Sequence, residues 1–256
     1  MLVRVIAGGS DGNCIVVQSG GVTVLIEAGK RKTFIEKMLI QEGFDPTKID
    51  AIFVSHAHQD HCQGIGIANK YSIPVYASEG SWKNVKHMGA VEEDLRHVLD
   101  AGDSVIIECE FTVKAFATHH DGHSTIGFTL ETEDMFFDRK MSFCLDSGYV
   151  CDDMLTAMKG SDIYLIEANH EPNILNNHPD YSDYLRSRIL SDIGHLSNQQ
   201  AAEALAKLIE GKGERIMITH LSKRTNTVAL AVAIIGDALS VKGFVKGKDY
   251  FLEVIG

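Results

Sequence analysis

His56-Ala57-His58-Gln59-Asp60-His61 gathers three imidazoles and a carboxylate within six residues. Imidazole nitrogens together with carboxylate oxygens form a donor set suited to Zn²⁺, Mn²⁺ or Fe²⁺. A polar surface turn has little physical reason to concentrate such side chains, so the cluster reads as a metal site. Three more groups follow downstream: Thr118-His119-His120-Asp121, Leu145-Asp146-Ser147-Gly148 and Ile218-Thr219-His220. Singly each is weak, because a lone histidine after a strand is more often a hydrogen-bonded polar residue than a ligand. Their recurrence in one chain, each closing an apolar run, points to an assembled centre.

Those apolar runs are the elements that must position the ligands. Ala51 to Val54 is a short buried-strand pattern that opens into the first cluster. Phe111 to Ala117 ends at His119 and His120, Met141 to Leu145 at Asp146, and Arg215 to Ile218 at His220. Strand ends that share one edge of a sheet bring loop side chains together while the sheet fixes their geometry. Leu2 to Ala7, Cys14 to Gln18 and Val22 to Ile26 are further strands, the last two joined through Ser19-Gly20-Gly21 as a hairpin. Thr125 to Glu131, Ile163 to Ile166 and Tyr250 to Ile255 also read as strands.

Helical spacing marks Thr33 to Gln41, Gln63 to Lys70, Ser81 to His87, Met154 to Met158, Tyr184 to Leu190 and Val228 to Leu239. Ser197 to Ile209 is the clearest helix, with Ser197 as cap and Gln200 at the capping-box position. His87 and His97 read as surface residues in helical surroundings, and His178 as a loop residue. Strand series separated by helices, without a linker or long repeat, predict one α/β (α+β) domain over residues 1–256.

The glycine-rich turn Gly8 to Asn13 invites a nucleotide-loop reading but leads into a strand and matches neither phosphate-loop spacing. Five scattered cysteines without a CxxC pair argue against a disulfide framework or thiolate zinc site and fit a reducing compartment. Cys62, next to His61, is the one thiol open to a ligand role, against the commoner reading of a small buried hydrophobe. The N-terminal residues lack signal-peptide features and no apolar run approaches a bilayer-spanning length, so a cytoplasmic protein is expected. A net charge of −11 disfavours a broad basic grip on nucleic acid, although bound divalent ions would offset it locally.

In order, His56-x-His58-x-Asp60-His61, His120, Asp146 and His220 resemble the ligand motifs of the metallo-β-lactamase fold hydrolases. Asp146-Ser147-Gly148-Tyr149-Val150, Glu167-Ala168-Asn169-His170, Gly194-His195-Leu196-Ser197-Asn198 and His220-Leu221-Ser222 resemble the YycJ/WalJ branch, associated with 5′-to-3′ exonuclease activity on DNA. The resemblance implies a four-layer αββα sandwich with two divalent ions, zinc or manganese with iron possible. It implies His56, His58 and His120 on the first ion, Asp60, His61 and His220 on the second, and Asp146 between them. His120 is preferred to His119 because the family pattern sets an aspartate after the ligand, here Asp121. Glu27 stands where the family usually has an aspartate supporting the histidine loop, and would do so with a longer reach. Lys223 to Thr227 lacks the acidic, paired-asparagine pattern expected after the last ligand.

Two divalent ions about 3.5–4 Å apart share a water, lower its pKa and offset charge growing on a phosphodiester. Asp146 would hold the two ions in register, with Asp60 among the ligands of the second and the shared hydroxide expected as nucleophile. His195 is expected to contact the scissile phosphate or protonate the leaving group, with His170 near the same pocket, against structural readings for both. Tyr181 to Arg188 mixes aromatics with two arginines, a composition that stacks bases or else forms a solvated basic helix face. The leading expectation is a metal-dependent phosphodiesterase with DNA rather than RNA as substrate. Its rivals are a hydrolase of small thioesters, lactones or cyclic phosphodiesters and a metal-bearing binding module.

Overall fold

The first compact unit, Met1–Ala117 with Gly122–Arg139, is built on a sheet whose register comes from tight glycine turns and buried apolar runs. A computed structural model describes residues 1–9, 11–132 and 139–255 of the chain. Strands β1 (Leu2–Ala7), β2 (Cys14–Ser19) and β3 (Val22–Ile26) pair antiparallel. The β2–β3 hairpin turns at Gly20 and Gly21, both at positive φ, where residues bearing a Cβ rarely sit. Of the glycine-rich turn before β2, Ser10 lies outside the described residues, while Gly12 N–H donates to the Gly9 carbonyl at 3.0 Å.

Helix α1 (Lys32–Gln41) then carries the chain back so that β4 (Ala51–Val54) joins β3 in parallel. Helices α2 (Gln59–Cys62) and α3 (Ile67–Tyr71) precede β5 (Val75–Ala77). Helices α4 (Glu79–Trp82) and α5 (Val85–Met88) precede β6 (Arg96–Val98), completing the order β1 to β6. Every residue of β3 and β4 is buried, as parallel strands covered on both faces require. Leu25, Ile35, Leu39, Ile52, Val54, Ile67 and Met88 belong to its core. Strands β7 (Ser104–Ile107), β8 (Phe111–Ala117) and β9 (Ile126–Thr132) form an antiparallel meander.

Three expectations change here. The helix expected over Gln63 to Lys70 is split, with α2 starting inside the histidine motif and α3 beginning at Ile67. Gly64 lies between them, where a Cβ would stand 2.1 Å from the Lys30 carbonyl oxygen, so crossing backbone replaces the continuous helix. The helix expected over Ser81 to His87 becomes two single turns. His97 lies on strand β6, not in a helix, and stacks on Tyr76 with ring centroids 4.9 Å apart. A three-residue strand carries too few positions to show a period.

The second unit, Thr118–Asp121 with Lys140–Gly256, alternates strands and helices. In chain order these are β10 (Arg139–Cys144), α6 (Asp152–Met158), β11 (Ile163–Glu167), α7 (Pro172–Asn177), α8 (Asp183–Ile189) and α9 (Asn198–Leu208). They end with β12 (Glu214–Thr219), α10 (Val228–Val241) and β13 (Tyr250–Val254). Strands β10 to β13 lie side by side, all parallel, because a helix crosses over between each successive pair. The capping box forms as expected: Gln200 N–H donates to Ser197 Oγ at 3.2 Å while Ser197 N–H donates to Gln200 Oε1 at 2.9 Å. Helices α9 and α10 pack on each other through faces that bury Ala201, Leu205, Ala231, Ile235 and Leu239. Helix α7 escaped the periodicity because it is under two turns long, although Pro172 at its first position is a start signal.

Candidate metal centre

In the first unit the ligand residues leave the carboxyl end of β4, beside the end of its parallel neighbour β3. Open α/β sheets present ligand-binding loops at such ends. Gly29, just past β3, lets the two loops cross: a Cβ there would stand 1.6 Å from the Asp60 carbonyl oxygen. Asn13 N–H donates to that oxygen at 2.8 Å and Ala28 N–H to the His61 carbonyl at 2.8 Å, fixing the start of α2.

His56 and His61 are buried, and His58 and Asp60 are partly open. His56 Nε2 faces His58 Nδ1 at 2.9 Å. At metal–nitrogen distances of about 2.1 Å, two nitrogens on one ion lie about 3.0 Å apart at right angles and about 3.4 Å at the tetrahedral angle. The pair therefore fits a shared cation. The outer nitrogens have partners: His56 Nδ1 has Ser55 Oγ at 3.0 Å, and His61 Nδ1 lies 3.4 Å from Glu27 Oε1. That is how outer partners orient metal-binding imidazoles. His61 Nε2 then lies 3.5 Å from Asp60 Oδ2.

Glu27 is fully buried at φ 67°, and its Oε1 also accepts the Ser55 N–H at 3.1 Å. The longer side chain thus does support the histidine loop. Burial raises its carboxyl above the usual range, with His61 and Ser55 opposing that rise.

In the second unit β10, β11 and β12 are adjacent and parallel, so Asp146, Glu167 and His220 emerge at the same edge. Asp146 and His220 adopt left-handed backbone, φ 51° and 59°, which costs side-chain-bearing residues about 1–3 kcal/mol each and clusters at functional sites. His120 Nδ1 donates to the Gly194 carbonyl at 2.8 Å, which assigns its lone pair to Nε2, 3.8 Å from Asp146 Oδ2. His220 Nδ1 faces Asp146 Oδ1 at 2.9 Å and Glu167 Oε2 at 3.1 Å, likewise leaving Nε2 as its ligand atom. One polar atom from each of Asp146, Glu167, His195 and His220 falls within 4.8 Å of the others.

Glu167 is the residue whose individual role sequence reasoning missed. Its Oε1 accepts the N–H groups of Ser147 at 2.8 Å and Leu196 at 3.1 Å, and its Oε2 lies 3.1 Å from Nδ1 of both His195 and His220. In sequence Glu167 stands just past the apolar run Ile163 to Ile166, and the motif Glu167-Ala168-Asn169-His170 marked it without giving it a role. Burial alone would favour its neutral form, but His195 outweighs that and holds it ionised. Burial lowers the His195 imidazole, yet Glu167 and Asp146 overcome it and keep that ring protonated above its ordinary range.

His119 goes elsewhere: its ring stacks on Tyr149 and its Nε2 lies 3.5 Å from Cys151 Sγ, leaving His120 as the ligand candidate. His170 is buried, and neither ring nitrogen has a hydrogen-bond partner among the described residues. Cys62 is a buried thiol donating to the His58 carbonyl at 3.1 Å, pushed up to about 12 by burial, which suits packing rather than coordination. Arg186 bonds Asp183 and the His178 carbonyl, and Arg188 is held by Asp121, so the basic residues of α8 are tied down. The single asparagine of the Lys223 to Thr227 segment, Asn226, finds its asparagine partner at a distant position. Asn198 and Asn226 exchange side-chain hydrogen bonds at 2.9 and 2.8 Å, and Asn226 also donates to the Ala168 carbonyl.

Residues 23–221 match the family described as the beta-lactamase superfamily domain, and the chain belongs to that family. It is a hydrolase of the metallo-β-lactamase fold, with its strands and helices in the α/β class expected. The chain is 32% identical over 250 residues to Exodeoxyribonuclease WalJ of Streptococcus pneumoniae, covering 96% of this chain and 91% of that one. It is also 32% identical over 248 residues to Exodeoxyribonuclease YycJ of Bacillus anthracis, covering 96% and 92%. Among solved structures, the metallo-β-lactamase fold protein YhfI of Bacillus subtilis matches with a TM-score of 0.68 at 17% identity, over 98% of this chain and 95% of that one. Among the described residues no helix is long and apolar enough to cross a membrane.

Proposed function

We propose that this chain is a cytoplasmic, two-metal phosphodiesterase that removes nucleotides from DNA in the 5′-to-3′ direction. The observation that carries the reading is end-to-end similarity, at 32% identity, to proteins named exodeoxyribonucleases. Residues 1–256 would act as a single hydrolase domain. His56, His58 and His120 would hold one divalent ion, Asp60, His61 and His220 the other, and Asp146 would bridge them. Zinc and manganese suit these donors, with iron as a further candidate. When bound, such ions lower the pKa of a coordinated water and offset charge on a phosphodiester.

The protein's own residues then have definable tasks. Glu27 and Glu167 orient imidazoles from behind, through the contacts at 3.1 to 3.4 Å described above. Asp60 and Asp146 would supply carboxylate oxygens whose charge offsets that of bound ions. His195, whose Nδ1 lies 3.1 Å from Glu167 Oε2, would be the residue placed to hand a proton to the departing 3′ oxygen of the cleaved nucleotide. His170, buried and neutral, would support the pocket behind it.

Purified protein with Mn²⁺ or Zn²⁺ should be offered 5′-phosphorylated duplex DNA, single-stranded DNA, RNA and a thioester. Stepwise nucleotide release from DNA that disappears in Asp60→Ala supports the proposal. Turnover of the thioester alone overturns it, and binding of two metals with no turnover points to a binding module.

A further inference from the structure

Two rings beside the candidate ligands are not used by any step above. His119 and Tyr149 stack with centroids 4.1 Å apart and planes inclined by 9°. His119 adjoins the ligand candidate His120, and Tyr149 lies three residues beyond Asp146. Tyr149 leaves 37% of its surface open, so this is an aromatic stack with an accessible member, not a core pair.

The stack is rigidly joined to the residues around it. Gly148 N–H donates to the His119 carbonyl at 2.7 Å, and His119 N–H donates to Ser147 Oγ at 3.1 Å. Ser147 Oγ–H donates to the Tyr149 carbonyl at 2.7 Å, and Gln200 Nε2 to the Gly148 carbonyl at 2.8 Å. Gly148 also permits close approach of the loop before α9: a Cβ there would meet the Asp192 carbonyl carbon at 2.3 Å. Any shift of Tyr149 therefore moves the turn that carries Asp146. A tyrosine with 37% of its surface open and one ring face held against a parallel imidazole is preorganised to receive a further flat ring, because little side-chain entropy is left to lose on binding.

We propose that Tyr149, backed by His119, is the stacking platform for a nucleobase of the strand being cut, placed beside the scissile phosphodiester. The inference rests on the DNA-degrading reading and sharpens it by naming how the base is held. Every base has a π-face, so such a contact is tolerant of sequence, as an exonuclease requires. Stacking of this kind is worth about 1–3 kcal/mol per base, which corresponds to roughly 5- to 150-fold in affinity.

The test uses the zinc-loaded protein and an oligonucleotide with 2-aminopurine as its 5′-terminal base and a non-cleavable phosphonate as its first linkage. Binding is followed by anisotropy of a 3′ dye and stacking by quenching of the 2-aminopurine. Wild type and Tyr149→Phe should bind and quench. Tyr149→Ala should bind at least 5-fold more weakly and, when saturated, leave the fluorescence unquenched, with His119→Ala intermediate. Undiminished quenching in saturated Tyr149→Ala overturns the platform, and the exonuclease reading stands if the same preparation digests ordinary DNA. If wild type neither binds nor digests DNA, the exonuclease reading fails and the platform fails with it.

Discussion

Glu27 Oε1 accepts the backbone N–H of Ser55 at 3.1 Å, so the residue that follows β3 sets where the histidine loop leaves β4. The same oxygen lies 3.4 Å from His61 Nδ1. Glu27→Ala strands a buried N–H, which costs about 1–3 kcal/mol, and frees the His61 ring to turn. Metal affinity should fall about 10- to 100-fold, read by competition with a chromophoric chelator. Glu27→Gln keeps an acceptor for Ser55 and should recover most of the stability. An unchanged affinity in Glu27→Ala would remove Glu27 from the support of the site.

Gly29 is a second control point in the same unit. An added methyl group would stand 1.6 Å from the Asp60 carbonyl oxygen and 2.6 Å from the Asn13 nitrogen, and backbone atoms cannot step aside as a side-chain tip can. Gly29→Ala should lower the melting temperature by several degrees, from about 1–3 kcal/mol of overpacking, and should weaken metal binding as Asp60 is displaced. Thermal denaturation with and without added metal measures both effects.

His170 gives the protein an acid-sensitive element. Burial pushes its imidazole down to about 4, the Glu167 carboxylate only partly opposing this. An unfolded histidine titrates near 6.5, so between about pH 6.5 and 4 the unfolded chain takes up a proton that the folded chain refuses. Stability is therefore complete above pH 6.5 and declines as the pH falls, by up to about 3 kcal/mol at pH 4. His170→Gln should flatten that decline. Urea unfolding of both proteins at pH 7.5, 5.5 and 4.5 tests it: the gap in their midpoints should change with pH in this direction.

His195 should separate chemistry from metal binding. Its Nδ1 lies 3.1 Å from Glu167 Oε2 and 3.4 Å from Asp146 Oδ1, and it remains partly accessible. His195→Gln should lower kcat about 10²- to 10⁴-fold, as loss of a general acid does, while leaving metal content within error of wild type. Loss of metal in parallel with activity would instead make His195 a ligand.

The strands and long helices were legible because burial on one or both faces writes a period or an apolar run into the residues. The ligand candidates were legible because metal binding restricts side-chain type, and His56, His58, Asp60 and His61 lie close together in the chain. Glu167 was not, since its role depends on Ser147, Leu196, His195 and His220, which approach it only in three dimensions. The Asn198–Asn226 pair was hidden for the same reason, its members being 28 residues apart. The break between α2 and α3 escaped because helical spacing registers side chains, while crossing backbone at Gly29 and Gly64 decides the path.

The most direct test of a metal-dependent 5′-to-3′ DNA exonuclease is the order in which the two ends of one strand are lost. Duplex DNA labelled at either the 5′ or the 3′ end is incubated with the Mn²⁺-loaded protein, and the products are resolved over time. The 5′ label should appear at once as a mononucleotide, the 3′-labelled strand should shorten stepwise, and Asp60→Ala should abolish both. Early release of the 3′ label, or digestion that persists in Asp60→Ala, would contradict it.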